Sequence, residues 1–386
     1  MYYAVIGNNY GDEGKGLAVD YLTLSGHNLV VRHNGGAQAA HTVDREDKRF
    51  VFHELSSGSF NGADTYWAST FLPDLYKLEE EINDFFEVSS KKVKIYASPD
   101  CSITLLYDVY LNQKREELRG ADKHGSCGMG IWEATKRSLT EYRLTLRDIA
   151  SLSVTELAAR LKQIENEYVA LKISKFGIGD TLDLDTGKYA SILKSVLEKN
   201  ITLIEDELKL FMSYDNVVFE GGQGLLLDTV RDDLWPHTTC SRTNISNSVM
   251  LLDSVGLKLD EAVYVTRTYL TRHGAGPFEE DDSLDLTDET NKPNPWQGSM
   301  RFGKHGSVSE LISRAVDDCR KYCPYDIKTA VFVTHLNETN DMILTRDGDA
   351  GINDLESNAA QSGIDKLYLS RDRYSSNVTA RALMSR

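Results

Sequence analysis

An apolar run, Tyr2-Tyr3-Ala4-Val5-Ile6, ends at Gly7 and leads into Gly11-Asp12-Glu13-Gly14-Lys15-Gly16. A second run, Leu29-Val30-Val31, passes through Arg32-His33-Asn34 into Gly35-Gly36-Ala37-Gln38-Ala39-Ala40-His41-Thr42-Val43. Each run is a short strand candidate that opens into glycines and an ionisable side chain. That arrangement constrains the chain to an open α/β sheet of the kind that places phosphate chemistry at its strand ends.

The first loop has a specific physical reading. Gly11, Gly14 and Gly16 let the backbone turn tightly and approach a phosphate, while N–H groups there and at the following helix start face anionic oxygens. Lys15 adds a point positive charge, and Gly11, Glu13, Gly14 and Gly16 form the candidate phosphate-binding stretch. Asp12 would repel bare phosphate, so its presence asks for a magnesium contact or for a proton taken from a substrate. The loop is not the standard phosphate loop: no Ser or Thr follows the lysine, and the spacing is shorter.

Lys plus Arg number 43 against 59 Asp plus Glu, a net charge of −16, which disfavours polymeric nucleic acid and anionic membranes as partners while leaving room for a local basic pocket. The hydrophobic fraction of 41% and charged fraction of 26% describe a globular enzyme rather than a disordered scaffold. No apolar stretch approaches membrane-spanning length and no secretory signal pattern stands at the start, so a cytoplasmic address is expected. The five cysteines are mostly scattered, which argues against structural zinc or disulfides.

Strands are predicted at Tyr2–Ile6, Leu29–Arg32, Val93–Tyr96, Val217–Glu220, Ala262–Thr266, Ala330–Val333 and Leu367–Leu369. A helix is predicted over Ser153–Tyr168, capped by Ser153 with Glu156 three positions on. The acidic segment Asp281–Asn294 reads as a surface loop. The expectation is one α/β domain over residues 1–386, with a large, mostly parallel central sheet flanked by helices and phosphate-loop-like nucleotide-binding elements.

The chain resembles the adenylosuccinate synthetase family. The resemblance rests on the Gly11–Gly16 loop, the Asn34–Val43 stretch, Phe219-Glu220-Gly221-Gly222-Gln223-Gly224, and Val265-Thr266-Arg267-Thr268-Tyr269-Leu270-Thr271-Arg272-His273-Gly274-Ala275-Gly276-Pro277, in family order. It implies a carbon–nitrogen ligase that joins L-aspartate to C6 of a 6-oxopurine nucleotide through a 6-phosphoryl intermediate. Asp12 would be the base that removes the N1 proton, and His41 would hydrogen-bond the charge growing on O6 and the incoming phosphate, beside Lys15. Magnesium would be held by Asp12 and the backbone carbonyl of Ala40. Gln223 and Thr239 match family positions that hold the substrate nucleotide, Ser126 and Cys127 stand in place of the family's threonine pair and Ala37-Gln38 in place of its asparagine pair, and Arg272 is an anion-binding candidate at the nucleotide. The amino acid falls to Gln297, Ser299 and Arg301, where a guanidinium can hold a carboxylate bidentately. A homodimer is implied, with Arg137 or Arg143 reaching a neighbouring subunit's site, and Arg267 is a further anion-binding candidate.

The chain departs from the family pattern where a Thr-Lys-x-Asp motif reads the guanine of GTP. Here Thr334-His335-Leu336-Asn337 stands instead, and neutral Asn337 cannot reproduce a carboxylate's charge-assisted pair. With the Trp296-Gln297-Gly298-Ser299 loop, this looks like the branch that amidates a guanine nucleotide with ATP on the way to 2-aminoadenine, although that branch commonly replaces the loop aspartate with serine. Three readings stay open: a ligase acting on IMP to give adenylosuccinate, which is favoured; an ATP-dependent 2-aminoadenylosuccinate synthetase acting on GMP or dGMP; and a nucleotide-binding homologue without turnover. ATP or GTP is the expected phosphate donor.

Overall fold

The computed structural model describes residues 1–288, 290, 296 and 298–383. Ten strands form one sheet in the spatial order Thr379–Ala382, Lys366–Leu369, Lys328–Thr334, Glu261–Arg267, Tyr2–Gly7, Asn216–Gly224, Asn28–Arg32, Asp64–Trp67, Ile95–Ala97, Ile201–Leu203. All neighbours run parallel except the pair at one edge, Lys366–Leu369 with Thr379–Ala382. The expected fold class is the one found.

The inner strands are apolar on both faces because helices cover both. Ala4, Ile6, Val217, Phe219 and Tyr264 face one core, packed against the helices Ser246–Ser254 and Val308–Tyr322. Val5, Val218, Val263 and Phe332 face the other, against the helix Lys15–Leu22. A separate core gathers Phe52, Phe71, Phe85, Leu111 and Leu193 under the helices Leu75–Ser89, Leu106–Arg119 and Thr186–Asn200. Continuous burial on two faces is the reason these strands read as unbroken apolar runs.

Each predicted strand is present with small shifts of its ends; the stretch expected at Val93–Tyr96 pairs only over Ile95–Ala97, in register with Thr65–Trp67. The predicted helix begins as expected, with Ser153 and Glu156 forming a capping box, but it is α-helical only over Val154–Gln163 and continues as a π-helical turn over Ile164–Val169. The described part of the acidic segment has neither helix nor strand, yet it is not wholly at the surface: the Asp288 side chain is only 4% exposed. No helix among the described residues is long and apolar enough to cross a membrane.

The chain leaves Tyr2–Gly7 and returns to pair on one side with Asn216–Gly224 and on the other with Glu261–Arg267. The carboxyl ends of these strands, with those of Asn28–Arg32 and Lys328–Thr334, open onto one cavity of about 1160 Å³. Ligands of open α/β sheets bind in this position, outside the carboxyl ends where strand order changes direction.

Candidate active site

The glycine loop is held by its own acid. Glu13 accepts hydrogen bonds from the backbone N–H of Asn9 at 2.8 Å and of Gly11 at 3.0 Å, and its other oxygen lies 3.2 Å from the Lys15 Nζ. Glu13 therefore shapes the loop and positions Lys15. Gly7 is required by the same clamp, because a Cβ there would lie 2.5 Å from the Glu13 carboxylate and 2.4 Å from the Gln223 carbonyl oxygen. Gly14 adopts φ 94°, which suits glycine, and turns the chain into the helix Lys15–Leu22, so that Gly14, Lys15, Gly16 and Leu17 line the cavity.

Asp12 stands at the mouth of this loop with φ 59°. Its carbonyl oxygen accepts from Arg267 Nε at 2.6 Å, while its carboxylate faces the cavity without a hydrogen-bond donor among the described residues. Burial pushes the Asp12 carboxyl above its usual range against the pull of Arg267 and Lys15. A carboxylate so destabilised is a better base than one in water.

His41 starts a hairpin formed by His41–Arg45 and Lys48–Phe52. Its Nδ1 lies 2.6 Å from Glu220 Oε1, at the end of the strand Asn216–Gly224. Glu220 also accepts from the Ser57 backbone N–H at 3.3 Å and from the Ser57 hydroxyl, and lies 3.8 Å from Arg32. Burial lowers His41 to about 4 against the opposing pull of Glu220, which favours the neutral ring. With Nδ1–H on Glu220, Nε2 is the nitrogen left for the cavity, and the carboxylate behind the ring stabilises an imidazolium when anionic oxygens arrive.

The other expected nucleotide contacts are also in this cavity: Gln38, Ser126, Cys127, Gln223, Thr239, Arg272, His335 and Asn337 all line it. Gln223 has φ 60° and a buried Oε1 without a partner. Such an orphaned acceptor suits a ligand donor. Gln38 accepts from the Gly36 N–H at 2.7 Å, and Ser126 donates to Asn112 at 2.9 Å. Burial pushes the Cys127 thiol up to about 11. Arg272 is anchored by two backbone carbonyls, donating to Pro277 at 2.7 Å and His237 at 2.9 Å, with its guanidinium over the Tyr10 ring. His335 adopts φ 62°, and its Nδ1 pairs with the Thr334 hydroxyl at 2.7 Å. Asn337 is exposed on the turn Leu336–Thr339, and the next residue, Glu338, brings a carboxylate that accepts from Tyr269 into the same cavity.

The expected amino-acid residues are placed differently. Arg301 lies on the strand Met300–Gly303, opposite Arg272 in an antiparallel ribbon, and donates to the carbonyls of Gly274 at 2.6 Å and Gly276 at 3.2 Å. Neither it nor Ser299 lines the cavity. Gln297 lies outside the described residues.

Arg137 must be withdrawn as a cross-subunit residue. It is fully buried, bound in several places to Asp108 and to the carbonyls of Ile103 and Tyr142, so its guanidinium does not reach the surface. Arg143 is exposed, with contacts to Ser102 and the Asp100 carbonyl. Glu220 and Arg32 are the residues that sequence reasoning overlooked; the visible signal was an acid and a base closing otherwise apolar strands at the glycine loops.

A glycine loop entering a helix, with acid, base and imidazole at the carboxyl ends of parallel strands, defines an open α/β protein equipped for phosphate chemistry. The chain belongs to the adenylosuccinate synthetase family, whose model matches residues 4–294. It is 33% identical over 279 residues to the adenylosuccinate synthetase of Teredinibacter turnerae, covering 71% of this chain and 64% of that one. The match to the Borrelia turicatae enzyme is 26% over 356 residues, covering 86% and 81%. The chain thus spans just under two thirds of the Teredinibacter relative's length. Among solved structures, the fully ligated adenylosuccinate synthetase of Plasmodium falciparum superposes with a TM-score of 0.67 at 18% identity, covering 100% of this chain and 88% of that one. The cyanophage S-2L succinoaminodeoxyadenylate synthetase, bound to dGMP and dATP as an energy donor, gives 0.63 at 15%, covering 98% and 94%. Both likenesses concern the fold.

Proposed function

We propose that this protein is a nucleoside-triphosphate-dependent ligase that joins L-aspartate to C6 of a 6-oxopurine nucleotide. The observation that carries this reading is the convergence of the Asp12 carboxylate, Lys15 and the Glu220-backed His41 on one cavity. Asp12 takes the N1 proton, and the electron pair moves to O6. O6 attacks the γ-phosphorus and the nucleoside diphosphate leaves, while Lys15, the loop N–H groups and His41 hold the anionic oxygens. The aspartate amine then adds at C6 and phosphate departs, leaving the N6-succinyl product.

Magnesium fits the oxygen ligands available. The Asp12 carboxylate and the Ala40 carbonyl both line the cavity, and neither accepts a hydrogen bond from the described residues. A hard cation takes such oxygens. When bound, magnesium would neutralise charge on the donor's phosphates.

IMP is the favoured substrate. GMP or dGMP with ATP is the second reading, supported by the missing carboxylate at Asn337 and by the ligands of the cyanophage protein. The test crosses IMP, GMP and dGMP with ATP and GTP on purified protein and reads succinylated product by mass. Nucleotide binding with no product from any pairing would leave the non-catalytic reading.

A further inference from the structure

Arg267 closes the strand Glu261–Arg267 and engages each of its three guanidinium nitrogens. Nε donates to the Asp12 carbonyl at 2.6 Å, Nη1 to the Tyr269 hydroxyl at 3.1 Å, and Nη2 to the Asp288 carboxylate at 2.6 Å. Both side chains of the ion pair are almost fully buried, at 5% and 4% exposure. Arg137 with Asp108 makes an instructive contrast. That pair joins two helices inside packed protein, and neither partner touches the cavity. Arg267 and Asp288 both line the cavity, together with Thr287 and Thr290. Asp288 also comes from a stretch without helix or strand that carries Glu279, Glu280, Asp281, Asp282 and Asp285. A carboxylate of the chain itself therefore sits on a desolvated guanidinium inside the ligand chamber.

We propose that Arg267 is a carboxylate subsite of the cavity and that Asp288 is its resident occupant, displaced by a carboxylate of the incoming amino acid. The inference rests on the ligase reading for the identity of that ligand. The geometry supplies the placement. The guanidinium that binds Asp288 also holds the Asp12 backbone, so a ligand carboxylate on Nη2 would be tied to the same group that fixes the Asp12 loop. It also supplies an anchor within the cavity lining, which Arg301 does not. Exchange of one carboxylate for another leaves the buried guanidinium paired throughout, which avoids the cost of an uncompensated buried charge.

The test is Asp288→Asn, which keeps shape and removes charge. Calorimetric titration with L-aspartate and with succinate, in the presence of IMP or GMP, should show at least fivefold tighter binding to the variant than to wild type, whereas Asp288→Glu stays near wild type. Equal or weaker binding to the Asn variant overturns the proposal. In the wild-type protein, saturating succinate should speed amide hydrogen exchange at residues 284–288 at least fivefold, a readout that needs no variant; unchanged exchange there also counts against it. Tighter dicarboxylate binding without any succinylated product would keep the subsite and remove the ligase reading. Product formation with an unchanged aspartate KM in Asp288→Asn would do the reverse.

Discussion

His41 and Glu220 stand 179 positions apart in sequence and 2.6 Å apart in space, joined through Nδ1 and one carboxylate oxygen. The pair fixes which imidazole nitrogen faces the cavity. Glu220→Gln keeps the shape and removes the charge that supports an imidazolium, so turnover should fall by roughly two decades with nucleotide KM changed little. His41→Ala should lose at least as much. Steady-state kinetics check this; equal losses in affinity and turnover would make His41 a binding residue.

Asp12→Asn should leave nucleotide binding largely intact and remove at least roughly two decades of turnover, the scale of a positioned base. The group must be ionised to accept a proton, so activity falls as pH drops through its pKa. Burial raises that pKa, and the acid limb of kcat/KM should lie above the ordinary Asp value of about 3.9. Near-wild-type product formation by the variant at saturating magnesium would exclude Asp12 as the base.

The phosphate donor should be ATP at least as readily as GTP. A carboxylate's charge-assisted contact to a bound base is worth about 1.5 to 3 kcal/mol, equivalent to tenfold or greater discrimination, and neutral Asn337 does not supply it. Competition at matched free magnesium measures the preference, and Asn337→Asp should raise GTP use selectively. A strong GTP preference in the unaltered protein would assign guanine recognition elsewhere, with Glu338 the first residue to substitute.

A homodimer is expected in solution, with Arg143 the remaining candidate for a shared site. Light scattering during turnover tests the assembly, and Arg143→Ala should raise nucleotide KM without altering the fold. Arg137→Ala should behave differently. It strands Asp108 without its guanidinium, so a loss of about 3 to 5 kcal/mol in unfolding free energy is expected.

Asp318 accepts from the Tyr264 hydroxyl at 2.8 Å and the Ile245 N–H at 3.1 Å, in the core beneath the sheet. Burial raises its carboxyl to about 7. A folded pKa above the unfolded one means the native state binds the extra proton, so stability falls as pH rises from about 4 to 7. Asp318→Asn keeps the acceptor and should be more stable than wild type at pH 8, by on the order of 2 to 4 kcal/mol, with the difference vanishing below about pH 4. Denaturant titration across that range decides it.

The central strands and the glycine loop were legible because strands buried on both faces announce themselves as apolar runs, and because glycines beside Asp12, Lys15 and His41 have few other uses. Thr379–Ala382 was not, since an exposed edge strand carries no alternating pattern. Asp64–Trp67 is too short to show a period. Glu220 behind His41 and Asp288 on Arg267 depend on contacts between distant segments, which local spacing does not encode. Arg137 misled because sequence gives its charge and not its burial.

The placement of Tyr2–Gly7 has a consequence for how the chain is made. Its two sheet neighbours end at residues 224 and 267, so at about 5 to 20 residues per second the ribosome takes on the order of ten seconds or more to deliver the second of them. During that interval the apolar segment Tyr2-Tyr3-Ala4-Val5-Ile6 lacks both of its sheet neighbours, and the glycine loop behind it has no Arg267 to hold it. The first strand is thus exposed for most of synthesis, and translation pauses before residue 267 should lower the yield of folded protein more than pauses after it.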